Sequence, residues 1–422
     1  MLQRIKAPSS FFDLSLRITA LGGKFLLMLA IARYLTVKDV GDYGLFVSII
    51  VISLYFVGLD FYVYSTREML DPKVKKNTGN ILFNQAAFFL LSYCLLAFVW
   101  PGLLSLSGVS GVGGVLFALT VCEHLSQECY RVLIIKEKIT TANFILLIRS
   151  GLWCYICVPL LFYKLIDLKQ IFYLWLLFSL FSVMVSSFFI SKFESVKFSD
   201  FKLDFAWLSS GVKTSFYFFL GTLCLRAINY LDKVIAVHFI SSPNLGVYVF
   251  FFGISSAVQA VIDVLVVTRY YPALVKSIQE GNRQKIQVAF ITFKRKIYFY
   301  NFVLFAMSIP ACYLMIRLTG KVDYIEHFSW YFLIVLTSSL LNISMPYHYA
   351  LYSRKKDISI ILINVIALLL FVIISFIGVK CLPGTGMLPI LIALVGANLF
   401  MLAAKYLSFI KEFNSEGRHF NK

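Results

Sequence analysis

Apolar positions in this chain fall into long unbroken runs, and polar residues gather between the runs instead of alternating within them. A helix that crosses a bilayer needs about 20 mostly apolar residues. Twelve such runs can be placed, near residues 12–34, 44–65, 81–101, 113–134, 142–163, 170–191, 213–238, 246–268, 297–317, 328–352, 358–379 and 387–407. No segment between them is long enough for a separate soluble domain. In hydrocarbon every backbone N–H and C=O must be paired within the segment, so runs of this length predict helices. The expected fold class is an all-α integral membrane protein with twelve transmembrane helices.

Composition agrees. The 422 residues are 60% hydrophobic and 14% charged, where a soluble domain carries about 25% charge. The net charge is +18. In a soluble protein that would suggest nucleic acid, but the cations here follow the connections. One side of the bilayer receives Arg4, Lys6, Arg67, Lys73, Lys75, Lys76, Arg131, Lys136, Lys138, Lys192, Lys197, Lys202 and Lys213. It also receives seven cations in the 269–296 loop, then Arg354, Lys355, Lys356, Lys405, Lys411, Arg418 and Lys422. The other side has Lys38, Lys164, Lys169, Arg317, Lys321 and Lys380. The positive-inside rule places both termini in the cytoplasm and removes the case for a nucleic-acid partner.

The first apolar run contains Arg17 and Lys24 and lacks a small-residue cleavage site, so it reads as a membrane helix and not as a cleavable leader. Cys154-x-x-Cys157 sits among Trp153, Tyr155, Ile156 and Val158, which favours helix packing over redox chemistry. No Cys/His set has zinc spacing, so no metal or cofactor is expected. The glycine-rich stretch from Gly108 to Gly114 joins two spans and reads as a turn. With no catalytic motif, the chain is not expected to be an enzyme. Gly22-Gly23, Pro159, Pro310 and Pro346 are candidate helix bends.

The two halves resemble each other at an offset of 205 residues. Ala32-Arg33-Tyr34-Leu35-Thr36 leads to Gly41-Asp42-Tyr43-Gly44-Leu45-Phe46, and Val237-His238-Phe239-Ile240-Ser241 leads to Gly246-Val247-Tyr248-Val249-Phe250-Phe251. Each stretch joins two spans, the first to the second and the seventh to the eighth. The shared Gly-x-Tyr suits a tight turn followed by an interfacial aromatic. Six spans plus six in one orientation imply a parallel repeat, as in transporters that rock one half against the other.

The same residues carry a family resemblance. Arg33-Tyr34-Leu35-Thr36-x4-Gly41-x-Tyr43-Gly44, with Asp232-Lys233-Val234-Ile235 ahead of Leu245-Gly246-x-Tyr248, resembles the polysaccharide flippases of the MATE/MOP superfamily. In length, span number and cationic load the chain is similar to the Wzx-type O-antigen flippases. The resemblance implies two six-helix lobes, 1–200 and 201–422, around a central cavity lined by the first and seventh helices. It implies an undecaprenyl-diphosphate-linked oligosaccharide as cargo, moved from the cytoplasmic to the periplasmic leaflet of a bacterial inner membrane. An H+ or Na+ counter-ion, membrane lipids and other polysaccharide-assembly proteins are the remaining expected partners. Two other readings compete. A MATE-like drug or metabolite antiporter would suit a cavity with fewer cations. An O-antigen polymerase typically has a large periplasmic loop, whereas the longest loop here is basic and cytoplasmic.

Ionisable residues at membrane depth are costly and usually face a cavity. Arg17 and Lys24 are seven apart and share a helix face, as do Arg226 and Lys233 on the repeat-equivalent seventh span. Two such stripes could hold a diphosphate and anionic sugars, Arg with two donors and Lys as a point charge. Plainer readings exist: Asp13 can pair with Arg17 at i−4, and Lys233 can snorkel to the interface. Arg149 is either a further cavity cation or a partner of Glu123 or Glu128. Glu123 (with His124 beside it), Asp232, Asp263 and Asp60 are candidates for ion coupling or for charge balance. Glu128 reads as a partner of Arg131 at i+3.

Overall fold

A computed structural model of the chain describes residues 11–70, 78–109, 111–193 and 202–414. Arg4, Lys6, Lys73, Lys75, Lys76, Lys197, Arg418 and Lys422, assigned above to the basic side, lie outside these residues. Every regular element among the described residues is helical. The first half holds α1 (Phe11–Tyr34), α2 (Val37–Gly58), α3 (Phe61–Leu70), α4 (Thr78–Leu106), α5 (Gly113–Ile135), α6 (Ile139–Leu147), α7 (Trp153–Phe162) and α8 (Leu168–Phe193). Then follow α9 (Phe205–Ala236), α10 (Ser242–Ile262), α11 (Thr268–Gln279), α12 (Arg283–Thr319), α13 (Val322–Glu326), α14 (Ser329–Ser353), α15 (Asp357–Cys381) and α16 (Leu388–Asn414). Single π-helical turns, Ile148–Leu152 and Asp263–Val267, join α6 to α7 and α10 to α11.

Ten of the described helical stretches are long and apolar enough to cross a membrane: α1, α2, α4, α6–α7, α8, α10–α11, α12, α14, α15 and α16. The helices α5 and α9 complete the twelve at 23 and 32 residues. They are less apolar because they carry Glu123, Glu128 and Arg131 in one, and Lys213, Arg226, Asp232 and Lys233 in the other.

Several boundaries differ from the sequence expectation, for local reasons. The second span begins at Val37 instead of 44. Thr36 and Asp39 form a reciprocal cap: the Thr36 amide and hydroxyl donate to Asp39 Oδ2 at 2.9 and 2.6 Å, and the Asp39 amide donates to Thr36 Oγ1 at 3.1 Å. This capping box fixes a helix start that the nearby charges had masked. The same span ends at Gly58, because Leu59 and Asp60 adopt left-handed φ angles of 43° and 49°. The 269–296 segment, expected as a loop, is α11, a turn at Gly281 (φ 69°) and the first part of α12. Asn282 caps that helix by accepting from the Lys285 amide at 3.1 Å. Beside it, Lys285 Nζ lies 2.9 Å from Glu280 and holds that carboxyl below its ordinary range. Lys405, read as a tail cation, lies inside α16 and is 1% exposed.

The chain divides into two compact units, Met1–Leu35 with Leu45–Phe219, and Thr36–Gly44 with Leu220–Lys422. In the first, α1 meets the α6–α7 stretch at backbone distance. A methyl group at Gly151 would lie 2.7 Å from Ala20 Cα, and one at Gly23 would lie 2.9 Å from Gly151 O. Small residues permit this approach where lipid supplies no hydrophobic drive between helices. Ser126 and Ser182 hydroxyls join α5 to α8 at 2.6 Å, and Trp153 stacks on Trp175 at 5.1 Å. In the second unit an apolar core around Ile262, Leu274, Phe290, Phe293 and Phe305 is stitched by buried polar contacts. Asn342 donates to Asn301 at 3.1 Å, and Tyr331 donates to Ser308 at 2.8 Å.

Candidate functional site

The two π-turns each contain one charged residue, Arg149 in the first unit and Asp263 in the second. A π-turn inserts one residue into the helical ladder and is frequent at functional positions. Arg149 Nε lies 3.5 Å from Glu123 Oε2 on α5. The same carboxylate accepts hydrogen bonds from Trp175 Nε1 at 2.9 Å and Ser179 Oγ at 2.7 Å, both on α8. Glu123 is 6% exposed, so three helices enclose it. The second π-turn sits just ahead of Pro272, whose ring cannot donate to the helix ladder and crowds the Thr268 carbonyl. Thr268 Oγ1 donates to the Asp263 carbonyl at 2.9 Å, and that carbonyl also accepts from the Thr268 amide. Asp263 is exposed, as is Arg226 on α9, which lies within electrostatic range of it.

On α1, Arg17 Nε donates to Asn143 Oδ1 at 2.8 Å, and Asn143 Nδ2 donates to Asp13 Oδ1 at 3.2 Å. Asn143 therefore bridges the acid and the cation. Arg17 remains exposed. Lys24 is also exposed and makes no ion pair or hydrogen bond among the described residues. Its ammonium acts electrostatically on Cys154, which Glu123 also reaches. Cys154 and Cys157 are buried free thiols.

Lys233 differs from its stripe partner Arg226. It is 4% exposed, and its Nζ lies 3.1 Å from Asp232 Oδ1 and 3.0 Å from the Asn229 carbonyl. Tyr248 donates to the same Asp232 carboxylate and is fully buried. The sequence read Tyr248 as an interfacial aromatic; the structure places it inside, closing this pair. The ammonium also sits over the Phe252 ring at 4.1 Å, a further cation–π attraction.

A second polar cluster lies lower on α5. Glu128 pairs with Arg131 and accepts from Gln85 Nε2 at 2.9 Å, while His124 Nε2 stands 3.8 Å away. Tyr93 hydroxyl meets His124 Nδ1 at 2.8 Å, and Arg131 covers the Tyr62 ring at 3.5 Å. Asp60, in the left-handed break after α2, acts electrostatically on Glu128. Gln85, Tyr93 and Glu128 also line a cavity of about 810 Å³ whose other walls are mostly apolar residues of α4, α5 and α8, with Ser187 and Ser191 among them.

The structure thus pairs Arg149 with Glu123 and Lys233 with Asp232, and sets Arg226 within electrostatic range of Asp263 and Asp60 within that of Glu128. It leaves Arg17 and Lys24 outside these pairs. Sequence reading missed Asn143, Gln85, Trp175 and the tyrosines that complete these sites, because each comes from a helix distant in sequence. Among the described residues no three His, Cys, Asp or Glu side chains are grouped to hold a metal ion.

No protein-family model matches this chain, and no curated protein matches it by sequence. Solved structures do match it. An inward-facing multidrug resistance MATE family transporter of the MOP superfamily superposes with TM-score 0.76 at 14% identity, covering 96% of this chain and 98% of the other. The lipid II flippase MurJ in an inward closed conformation gives 0.69 at 13%, covering 94% and 87%. A MOP superfamily transporter from Pyrococcus furiosus, described by a binding pocket of reverse polarity, gives 0.55 at 14%, covering 97% and 94%. The twelve-helix arrangement read from the apolar runs is therefore the fold of the MATE/MOP transporters.

Proposed function

We propose that this protein is a flippase that carries an undecaprenyl-diphosphate-linked oligosaccharide, an O-antigen or related repeat unit, from the cytoplasmic to the periplasmic leaflet of a bacterial inner membrane. The observation that carries the reading is the contrast among its intramembrane charges. Glu123, Asp232 and Glu128 are buried and paired, whereas Arg17, Lys24 and Arg226 are exposed on membrane-spanning helices. An exposed cation at membrane depth must face water and not lipid, and a surplus of such cations suits an anionic headgroup. The fold is shared with a lipid II flippase. Transport proceeds by alternating access of two six-helix lobes. The buried acids Glu123, Asp232 and Asp60, with exposed Asp263, are the proposed H+ or Na+ coupling groups. Both termini are cytoplasmic, and other polysaccharide-assembly proteins act beside it.

A second reading, an antiporter of amphipathic drugs or metabolites, draws on the mostly apolar cavity of about 810 Å³ that Gln85 and Glu128 also line. Complementation of a strain that makes the lipid-linked glycan but lacks its flippase separates the two. Restored surface glycan supports the flippase. Drug resistance without surface glycan supports the antiporter.

A further inference from the structure

We infer that the second unit holds a saccharide platform: the Tyr271–Tyr349 ring pair stacks on a pyranose of the cargo, while Asp263 and Arg226 bond its hydroxyl groups. This rests on the flippase reading and moves Asp263 from the coupling set to the cargo. Tyr271 on α11 and Tyr349 on α14 are stacked at 4.6 Å with their planes 29° apart. Both rings pack on the Ile262–Phe293 core yet stay partly exposed, and Tyr352, one turn along α14, is 50% exposed. Among the described residues the only ring against Tyr271 is Tyr349. Asp263, Arg226 and Tyr352 all lie within electrostatic range of the Tyr349 hydroxyl, so charged and polar groups from α9, α14 and the π-turn surround the ring pair at that range.

The chemistry of that cluster selects its ligand. A pyranose has a face of C–H groups and a rim of hydroxyls. The C–H face suits the electron-rich face of an aromatic ring. The rim needs acceptors and donors together, and Asp263, Arg226 and the tyrosine hydroxyls supply both. A hydrocarbon chain would leave Asp263 and Arg226 unsolvated. A diphosphate would be repelled by Asp263 and is better met by exposed Lys24, which makes no ion pair among the described residues. The platform is also preorganised: Asp263 opens the π-turn and Tyr271 immediately precedes Pro272, in a stretch whose backbone is held by the proline ring and by the Thr268 bond.

The test uses the purified full chain in lipid nanodiscs. Saturation-transfer NMR follows the methyl glycosides of glucose, N-acetylglucosamine and glucuronate, and phosphorus NMR follows inorganic pyrophosphate. At least one glycoside should receive saturation on its ring C–H protons. Tyr271→Leu and Asp263→Asn should each weaken that signal by about fivefold or more, and Tyr271→Phe, which keeps the ring, should recover what Tyr271→Leu removes. Pyrophosphate binding should persist in Tyr271→Leu and fall in Lys24→Ala, which separates a lost platform from a lost fold. No glycoside signal, or one unchanged in both Tyr271→Leu and Asp263→Asn, overturns the platform and leaves the flippase reading intact if pyrophosphate still binds. Absence of pyrophosphate binding in the unaltered protein overturns the flippase reading itself.

Discussion

Gly41 packs against the backbone of Gly246: a methyl group at Gly41 would lie 3.0 Å from Gly246 N and from Ser242 O. These are the two glycines that the internal repeat aligns, so the repeated motif meets its own counterpart. The contact is tighter from the other side, where a methyl group at Gly246 would overlap the Val37 carbonyl oxygen. A backbone oxygen cannot rotate away. Gly246→Ala should therefore lower stability by about 3 kcal/mol or more. Gly102, in α4, faces open space, so Gly102→Ala should be neutral or gain about 0.5–1 kcal/mol from helix propensity. Thermal unfolding in detergent checks both, and equal midpoints for the two variants would refute the packing argument.

Exposed intramembrane cations should matter for transport and not for folding. Lys24→Ala and Arg226→Ala should stay within about 0.5 kcal/mol of the parent in stability. Each should cut delivery of glycan to the periplasm by about tenfold or more, the scale of one lost charge-assisted bond. Lys24→Arg should retain more transport than Lys24→Gln. Surface glycan is measured in the flippase-deficient strain, with protein level checked in the membrane. Full glycan from well-expressed Lys24→Ala and Arg226→Ala would exclude a cationic cargo site.

Lys233 should behave oppositely. Asp232→Asn strands a buried ammonium, and breaking such a pair costs about 3–5 kcal/mol. Adding Lys233→Met removes the stranded charge and should recover most of the loss. Tyr248→Phe deletes one hydrogen bond to a carboxylate and should cost about 1.5–3 kcal/mol. Detergent melting curves of the four proteins decide this; a double variant no better than Asp232→Asn alone would count against the pair.

Glu123→Gln keeps an acceptor for Trp175 and Ser179 but removes the charge opposite Arg149. Transport by this variant should lose its dependence on a proton or sodium gradient, while pyrophosphate binding persists. Flux assays in vesicles with imposed gradients test it, and an unaltered gradient response would reduce Glu123 to a structural counter-charge.

The orientation is testable by reporter fusions. Those after Lys138, Lys285 and Lys356 should report cytoplasm, and those near Asp39, Asp167, Asp323 and Pro383 should report periplasm. Two or more cytoplasmic readings in the second group would refute the assigned orientation.

The sequence by itself determined the class of fold. Apolar runs of bilayer length leave the backbone one way to satisfy its hydrogen bonds, and twelve of them give twelve helices. Thr36-x-x-Asp39 even contained the start of α2, although its charges obscured it. The fate of each charge was not legible. Lys24 and Lys233 occupy matching stripes on repeat-equivalent helices, yet one is exposed and the other is enclosed by Asp232, Tyr248 and Phe252. Arg149 found Glu123, and Arg17 found Asn143, across more than twenty and more than one hundred residues of chain. Helical periodicity reports which residues share a face of one helix. Which face meets water, and which meets a partner, is set by how closely neighbouring helices approach, and that distance is fixed by side chains far away in the sequence.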